Sequence, residues 1–137
     1  MSRFICLLFV ALICFTYTGC KDTVDNVEFI SIDFPHGETR LHVWKDGRAA
    51  MYYGARPQSE TIEVGTFDIK QLYEQIQPRL YPNIPRENWP NPNSIAGMVQ
   101  IRIKDEGEKV YLIFDEQQFS ENLFKKARSN IVERKPL

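Results

Sequence analysis

Past residue 20 the chain holds no cysteine. That excludes a disulfide framework, a thiolate metal site and a cysteine nucleophile from residues 21 to 137. Stability there has to come from apolar burial. An excess of charge of one sign is also lacking: seventeen Lys and Arg face eighteen Asp and Glu, a net charge of −1. Nucleic-acid binders carry a basic face, so no nucleic-acid partner is expected. The seven glycines are spread among turns and form no phosphate cradle, and there is no Gly-x-Ser-x-Gly elbow. Histidine is limited to His36 and His42. No cofactor is expected.

Long hydrophobic runs are nearly absent too. The one that exists, FICLLFVALICF from Phe4 to Phe15, has twelve residues behind Arg3. A bilayer of roughly 30 Å takes about 20 apolar residues, so this run is too short to span. A short apolar core behind a positive charge at the N-terminus reads as a secretory signal. It ends Tyr17-Thr18-Gly19-Cys20. Thr18, Gly19 and Cys20 resemble the lipobox of bacterial lipoproteins, with Tyr17 standing where leucine is usual. The resemblance implies that residues 1–19 are a signal peptide and that Cys20 is lipidated as the first mature residue. Two or more acyl chains there would give a stable membrane anchor, where one is marginal. Lys21 stands where aspartate would retain a lipoprotein in the inner membrane. The resemblance therefore implies the outer membrane, facing the periplasm. Ordinary secretion as a soluble periplasmic protein is the alternative.

Removing residues 1–19 leaves 118, a length that suits one domain. Residues 20–26, CKDTVDN, read as a lipidated tether, and 27–137 as a single domain. VEFISIDF, from 27 to 34, reads as a strand whose alternation changes phase at Phe29-Ile30, which predicts a bulge or burial on both faces. Asp46-Gly47 between two apolar runs predicts a type I′ hairpin, with Leu41 and Val43 on one strand face and His42 and Trp44 on the other. A further strand is expected over 59 to 65, with Ile62 and Val64 inward. Ile69, Leu72, Tyr73 and Ile76 share one helical face, with Thr66 or Asp68 as the cap and Pro78 as the stop. After a proline-rich loop over 78 to 97, Val99, Ile101 and Ile103 alternate inward and KVYLIF returns beside them. Phe119, Leu123, Ala127 and Ile131 predict a second helix over roughly 116 to 133. The order β-β-β-β-α-β-β-α predicts an α+β fold: an antiparallel sheet of about six strands with two helices packed on one face. The succession of strand, Asp-Gly turn, YYG, VGTFD and helix over about 27 to 80 faintly resembles a domain of unknown function found in small bacterial lipoproteins. It lacks the cysteines that family carries near the first hairpin. That resemblance implies a fold and no activity.

The chemistry-bearing residues are few. His36, Glu38 and His42 are zinc-capable types, but they straddle a turn and a strand without a further ligand, so no metal is expected. Asp33, Glu63, Asp115 and Glu116 flank strands and read as solvated edges or caps. Lys125, Lys126, Arg128, Arg134 and Lys135 either complement a helix dipole or touch anionic lipid. In ENWPNPN, Trp89 stands among Asn88, Asn91 and Asn93 on a proline-stiffened loop. A stiff aromatic loop loses little entropy on docking, which makes these four the candidate partner-binding residues; the alternative is that Trp89 folds back over the sheet. The expected function is a lipid-anchored, non-enzymatic protein-binding module, such as an immunity or inhibitor protein or an accessory subunit of an envelope assembly. A small envelope hydrolase using His42 is the alternative.

Overall fold

A computed structural model of the chain describes residues 24–34, 39–54, 58–90, 95–114 and 116–136. Among the described residues eight strands form one antiparallel sheet: β1 (Val27–Phe34), β2 (Thr39–Trp44), β3 (Ala49–Tyr53), β4 (Gln58–Ile62), β5 (Tyr81–Pro82), β6 (Ile95–Ile103), β7 (Gly107–Phe114) and β8 (Ile131–Pro136). Their order is β5-β7-β6-β1-β2-β3-β4-β8, so β1 lies centrally between β6 and β2. Helix α1 (Ile69–Ile76) joins β4 to β5, and α2 (Gln117–Arg128) joins β7 to β8. The expected α+β class holds, and the expected six strands are an undercount: β5 and β8 are additional.

One face of β1, β2, β3 and β6 is apolar, and those faces, with Ile62 of β4, build the core. Ile30 and Ile32, Leu41 and Val43, Met51, Ile62, Val99 and Ile101 are each at most 1% exposed. The apolar stripes of both helices, Leu72 and Ile76 from α1 and Leu123 and Ala127 from α2, belong to the same cluster. The predicted phase shift in β1 is a bulge, where the pairing with β6 slips between Val27 and Phe29. Asp68 caps α1, its carboxylate accepting from the Gln71 N–H at 2.9 Å. The helix gives way to a 3-10 turn over Gln77–Arg79, where Pro78 sits.

Three local expectations are corrected. The β2–β3 turn is not type I′, which needs positive φ at two residues; only Gly47 has it, at 85°. The Trp44 carbonyl accepts from Gly47 N–H at 3.1 Å, and the Trp44 N–H donates to Arg48 at 2.9 Å, closing a four-residue loop. Val64 does not point inward: β4 stops at Ile62, and Val64 is 65% exposed in the turn that follows. Helix α2 stops at Arg128, short of 133. Ser129 Oγ donates to the Lys125 carbonyl and Asn130 Nδ2 to the Lys126 carbonyl, satisfying the last turn. Ile131 then enters β8 beside Ile62. β8 is fastened by a buried carboxylate: Glu60 of β4 receives the Tyr53 hydroxyl at 2.5 Å and Arg134 Nε at 3.0 Å. Burial and that carboxylate push the Tyr53 hydroxyl up to about 12.

Candidate functional site

Pairing brings four rings from three strands onto the sheet face opposite the core. Phe29 pairs with Trp44 across β1 and β2, and Arg40 with Tyr52 across β2 and β3. Side chains alternate along a strand. His42, two residues from each of Arg40 and Trp44, therefore falls between Tyr52 and Trp44. The ring centroids are 5.1 Å apart for Phe29–His42, 5.6 Å for Phe29–Trp44, 5.7 Å for His42–Trp44 and 4.7 Å for His42–Tyr52. All four rings are half-exposed and none belongs to the core cluster.

Arginines rim this aromatic patch. Arg48 lies over Trp44 at 5.5 Å and Arg102 over Phe29 at 5.6 Å. Each is paired with a carboxylate, Arg48 with Asp46 at 2.7 Å and Arg102 with Glu108 at 2.9 Å. Arg40 grips Asp33 with two nitrogens, the Nη2–Oδ2 contact being 3.1 Å. The rim is thus rich in planar donors but carries little net charge. At the centre, burial and, second, the Arg40 guanidinium lower His42 to about 4, against a weaker pull upward from Asp33. The imidazole is therefore neutral near pH 7.

This depressed value has a measurable consequence. As pH falls, the unfolded chain protonates its histidine near 6.5 while the folded one resists to about 4. The stability tied to a neutral His42 is intact above about 6.5, is lost as pH drops toward about 4, and changes no further below. For a half-exposed ring the loss is about 1–2 kcal/mol after solvent screening is allowed for. Thermal midpoints of the wild type and His42→Phe should diverge over that window, the wild type falling further; parallel curves would contradict the assignment.

The expected loop site looks different in place. Trp89 follows a 3-10 turn over Arg86–Asn88 and folds back, its ring 5.6 Å from Phe114 and its indole N–H donating to the Ile84 carbonyl at 3.0 Å. Tyr81 packs on the same Phe114 at 5.3 Å. Leu112 and Phe114 are buried yet stand outside the core cluster, so this loop covers one end of the sheet's second face. Asn88 is exposed beside it. Trp89→Ala should uncover Phe114 and lower stability by about 1–3 kcal/mol, read as a drop in the thermal midpoint.

Asn91, Asn93, His36, Glu38, Asp115 and Cys20 lie outside the described residues. Among the described residues no group of three or more His, Cys, Asp or Glu is placed to hold a metal. Nor is any described helix long and apolar enough to cross a membrane. The late basic cluster divides. Lys126 lies over Phe67 at 5.0 Å and Arg128 over Phe124 at 5.4 Å, while Arg134 and Lys135 sit on β8 and pair with Glu60 and Glu133. Of the carboxylates, Asp33 is held by Arg40 and Glu116 lies 3.2 Å from Arg79.

Sequence reasoning put His42 and Trp44 on one face but missed Phe29 and Tyr52 as their neighbours. The available signal was that both faces of β2 carry large side chains. Comparison with protein-family models, with curated proteins and with solved structures found no match.

Proposed function

We propose that this chain is a lipid-anchored envelope protein that binds another protein through the sheet face opposite its core. In this reading Cys20 carries the lipid and holds the domain at the outer membrane, facing the periplasm. Both helices cover the core face, and the second face is left to the partner, with Asn88 and the Trp89 loop as its border. The observation that carries the binding reading is the half-exposed cluster Phe29–Trp44–His42–Tyr52. Trp, Tyr and Arg are the residues that dominate binding hot spots, and here they stand together around an uncharged centre.

The rim also defines the partner. Each of its arginines already has a carboxylate, so an acidic partner gains little long-range attraction. The fitting surface is a protein patch that is apolar at its middle and supplies carbonyl or hydroxyl acceptors at its edge. Immunity or inhibitor proteins and accessory subunits of envelope assemblies are kinds of protein that work this way. The hydrolase reading draws less support. A general base works best with a pKa near the operating pH, and His42 is held at about 4 beside an Asp33 that Arg40 already occupies.

Site-specific photo-crosslinking in living cells tests the reading. A crosslinker replacing Gln100 or Ser59, both on the second face, should give one dominant adduct of the same protein. At Glu121, on the exposed side of α2, it should not. No adduct from the sheet positions, or the same adduct from Glu121, would remove the proposal.

A further inference from the structure

The approach to the sheet is fixed before β1 begins. Val24 is half-buried and packs against the core, and Val27, the first residue of β1, is fully buried. Between them the Asn26 carbonyl accepts from the Lys104 N–H at 2.8 Å. The Asp25 carbonyl accepts from Lys45 Nζ at 2.9 Å, and its carboxylate pairs with Lys70 of α1. The two lysine contacts are exposed and contribute little. Val24 and the backbone bond hold the segment to the end of the sheet where β1 starts.

Four residue steps separate Cys20 from Val24, a reach of at most ~14 Å. β1, eight residues long, runs about 26 Å. A group attached to Cys20 therefore stays near the start of β1 and cannot reach the level of its far end. The turns gather at the same near end. The Lys45 N–H donates to the Glu28 carbonyl at 3.0 Å, and the Gly65 N–H to the Gly47 carbonyl at 3.0 Å. The Glu63 N–H donates to the Asn130 carbonyl at 2.8 Å, which adds the α2–β8 turn.

This end is also where exposed apolar side chains collect. Among the described residues Val64, Val132 and Tyr81 are the large apolar side chains that stand exposed. Val64, 65% exposed, lies beside Gly47, and Val132, 63% exposed, follows the α2–β8 turn. The charges nearby are largely paired, Arg48 with Asp46 and Lys109 with Glu106.

We propose that this turn end is the surface through which the domain meets lipid headgroups, its strands directed away from the bilayer. The inference rests on the reading that Cys20 carries the lipid. The short tether brings this end down, and Val64 and Val132 supply apolar contact at the headgroup layer. Because the charges there are paired, the contact does not depend on anionic lipid. The second sheet face then stands beside the membrane, with Phe29 and Trp44, level with each other in the β1–β2 register, nearest to it.

The test is NMR on the acylated full chain in phosphatidylcholine nanodiscs, with and without phosphatidylglycerol, some headgroups carrying a gadolinium chelate. Mass spectrometry of the N-terminal peptide first reads the acyl chains on Cys20. Gadolinium broadening falls steeply with distance. The amides of Gly47, Gly65 and Glu106 should broaden strongly, and alike in both lipid mixtures. Those of Thr39 and Tyr53, paired at the opposite end, should stay sharp. A flexible Gly-Ser spacer of about ten residues between Thr23 and Val24 should reduce the turn-end broadening severalfold and leave the thermal midpoint unchanged. Broadening centred on Gln75 and Glu121, the helix side, or on Gln100, the second face, would overturn the proposal. So would broadening that appears only with phosphatidylglycerol or that ignores the spacer. An unmodified Cys20 would overturn it together with the anchor reading, whereas the other failures leave that reading standing.

Discussion

Trp44→Ala is expected to weaken binding of the crosslinked partner about thirtyfold or more while leaving the fold in place. The ring is half-buried, meets His42 edge-on and Phe29 at a tilt of 48°, and has Arg48 over its face. A central aromatic anchor of an interface typically contributes about 2 kcal/mol or more on truncation, which is about thirtyfold in affinity. Within the free domain the same change removes one partly wet aromatic contact set, for about 1 kcal/mol and a shift of a few degrees in thermal midpoint. The separation of these two sizes is what marks a binding residue. Titration calorimetry with the purified partner, beside thermal melts of both proteins, measures them together. A collapse of the melt would make Trp44 a structural residue. An unchanged affinity would move the interface elsewhere. Tyr52→Ala should follow Trp44→Ala, because Tyr52 shares His42 as a neighbour at 4.7 Å.

The contrast between Trp44 and Trp89 shows what a sequence carries and what it withholds. In the sequence Trp89, among asparagines and prolines, reads either as a docking residue or as one folded back over the sheet, and Trp44 as a packing or surface-strand residue. Their roles depend on pairing between segments far apart in the chain. Phe29 reaches Trp44 only through the β1–β2 register, and the bulge at Val27/Phe29 helps decide which face Phe29 takes. Phe114 meets Trp89 only because β5 adds beside β7 and brings the loop back over the sheet. Periodicity along the chain is local, so it located α1 with its Asp68 cap and the inward rows of β2 and β6, where one face is plainly apolar. It failed at Ile131, which continues a four-residue spacing through Phe119, Leu123 and Ala127. There the side chains of Ser129 and Asn130, not the apolar pattern, end the helix. It failed again at β8, whose run IVERKP is nearly all exposed and which is held by its backbone ladder to β4, with Arg134 reaching Glu60. The aromatic face was legible in part, as one side of an alternation, but not as a cluster.

The largest loss of stability is expected from Ile101→Ala. Ile101 is 1% exposed on β6 and pairs with Ile30 on the central strand, itself fully buried. Removing the side chain forfeits its transfer free energy and leaves a cavity that two neighbouring strands cannot close, for about 3–4 kcal/mol. A domain of this size has about 5–15 kcal/mol in total, and none of it comes from a disulfide within residues 21 to 137. At about 4 °C per kcal/mol the thermal midpoint should fall by about 12–16 °C. Ile101→Val, which removes one methylene from the same place, should cost about 1 kcal/mol. Chemical denaturation of the three forms measures the series, and a common slope against denaturant would show that the folded and unfolded states otherwise match. Equal stabilities for the alanine and wild-type forms would mean that the sheet is not held from this face. In that case the aromatic residues on the other side would have to carry the fold, and Trp44 and Tyr52 could not be spared for a partner. The core variant and the surface variant thus test one division of labour from its two sides: Ile101 should govern melting, and Trp44 should govern capture.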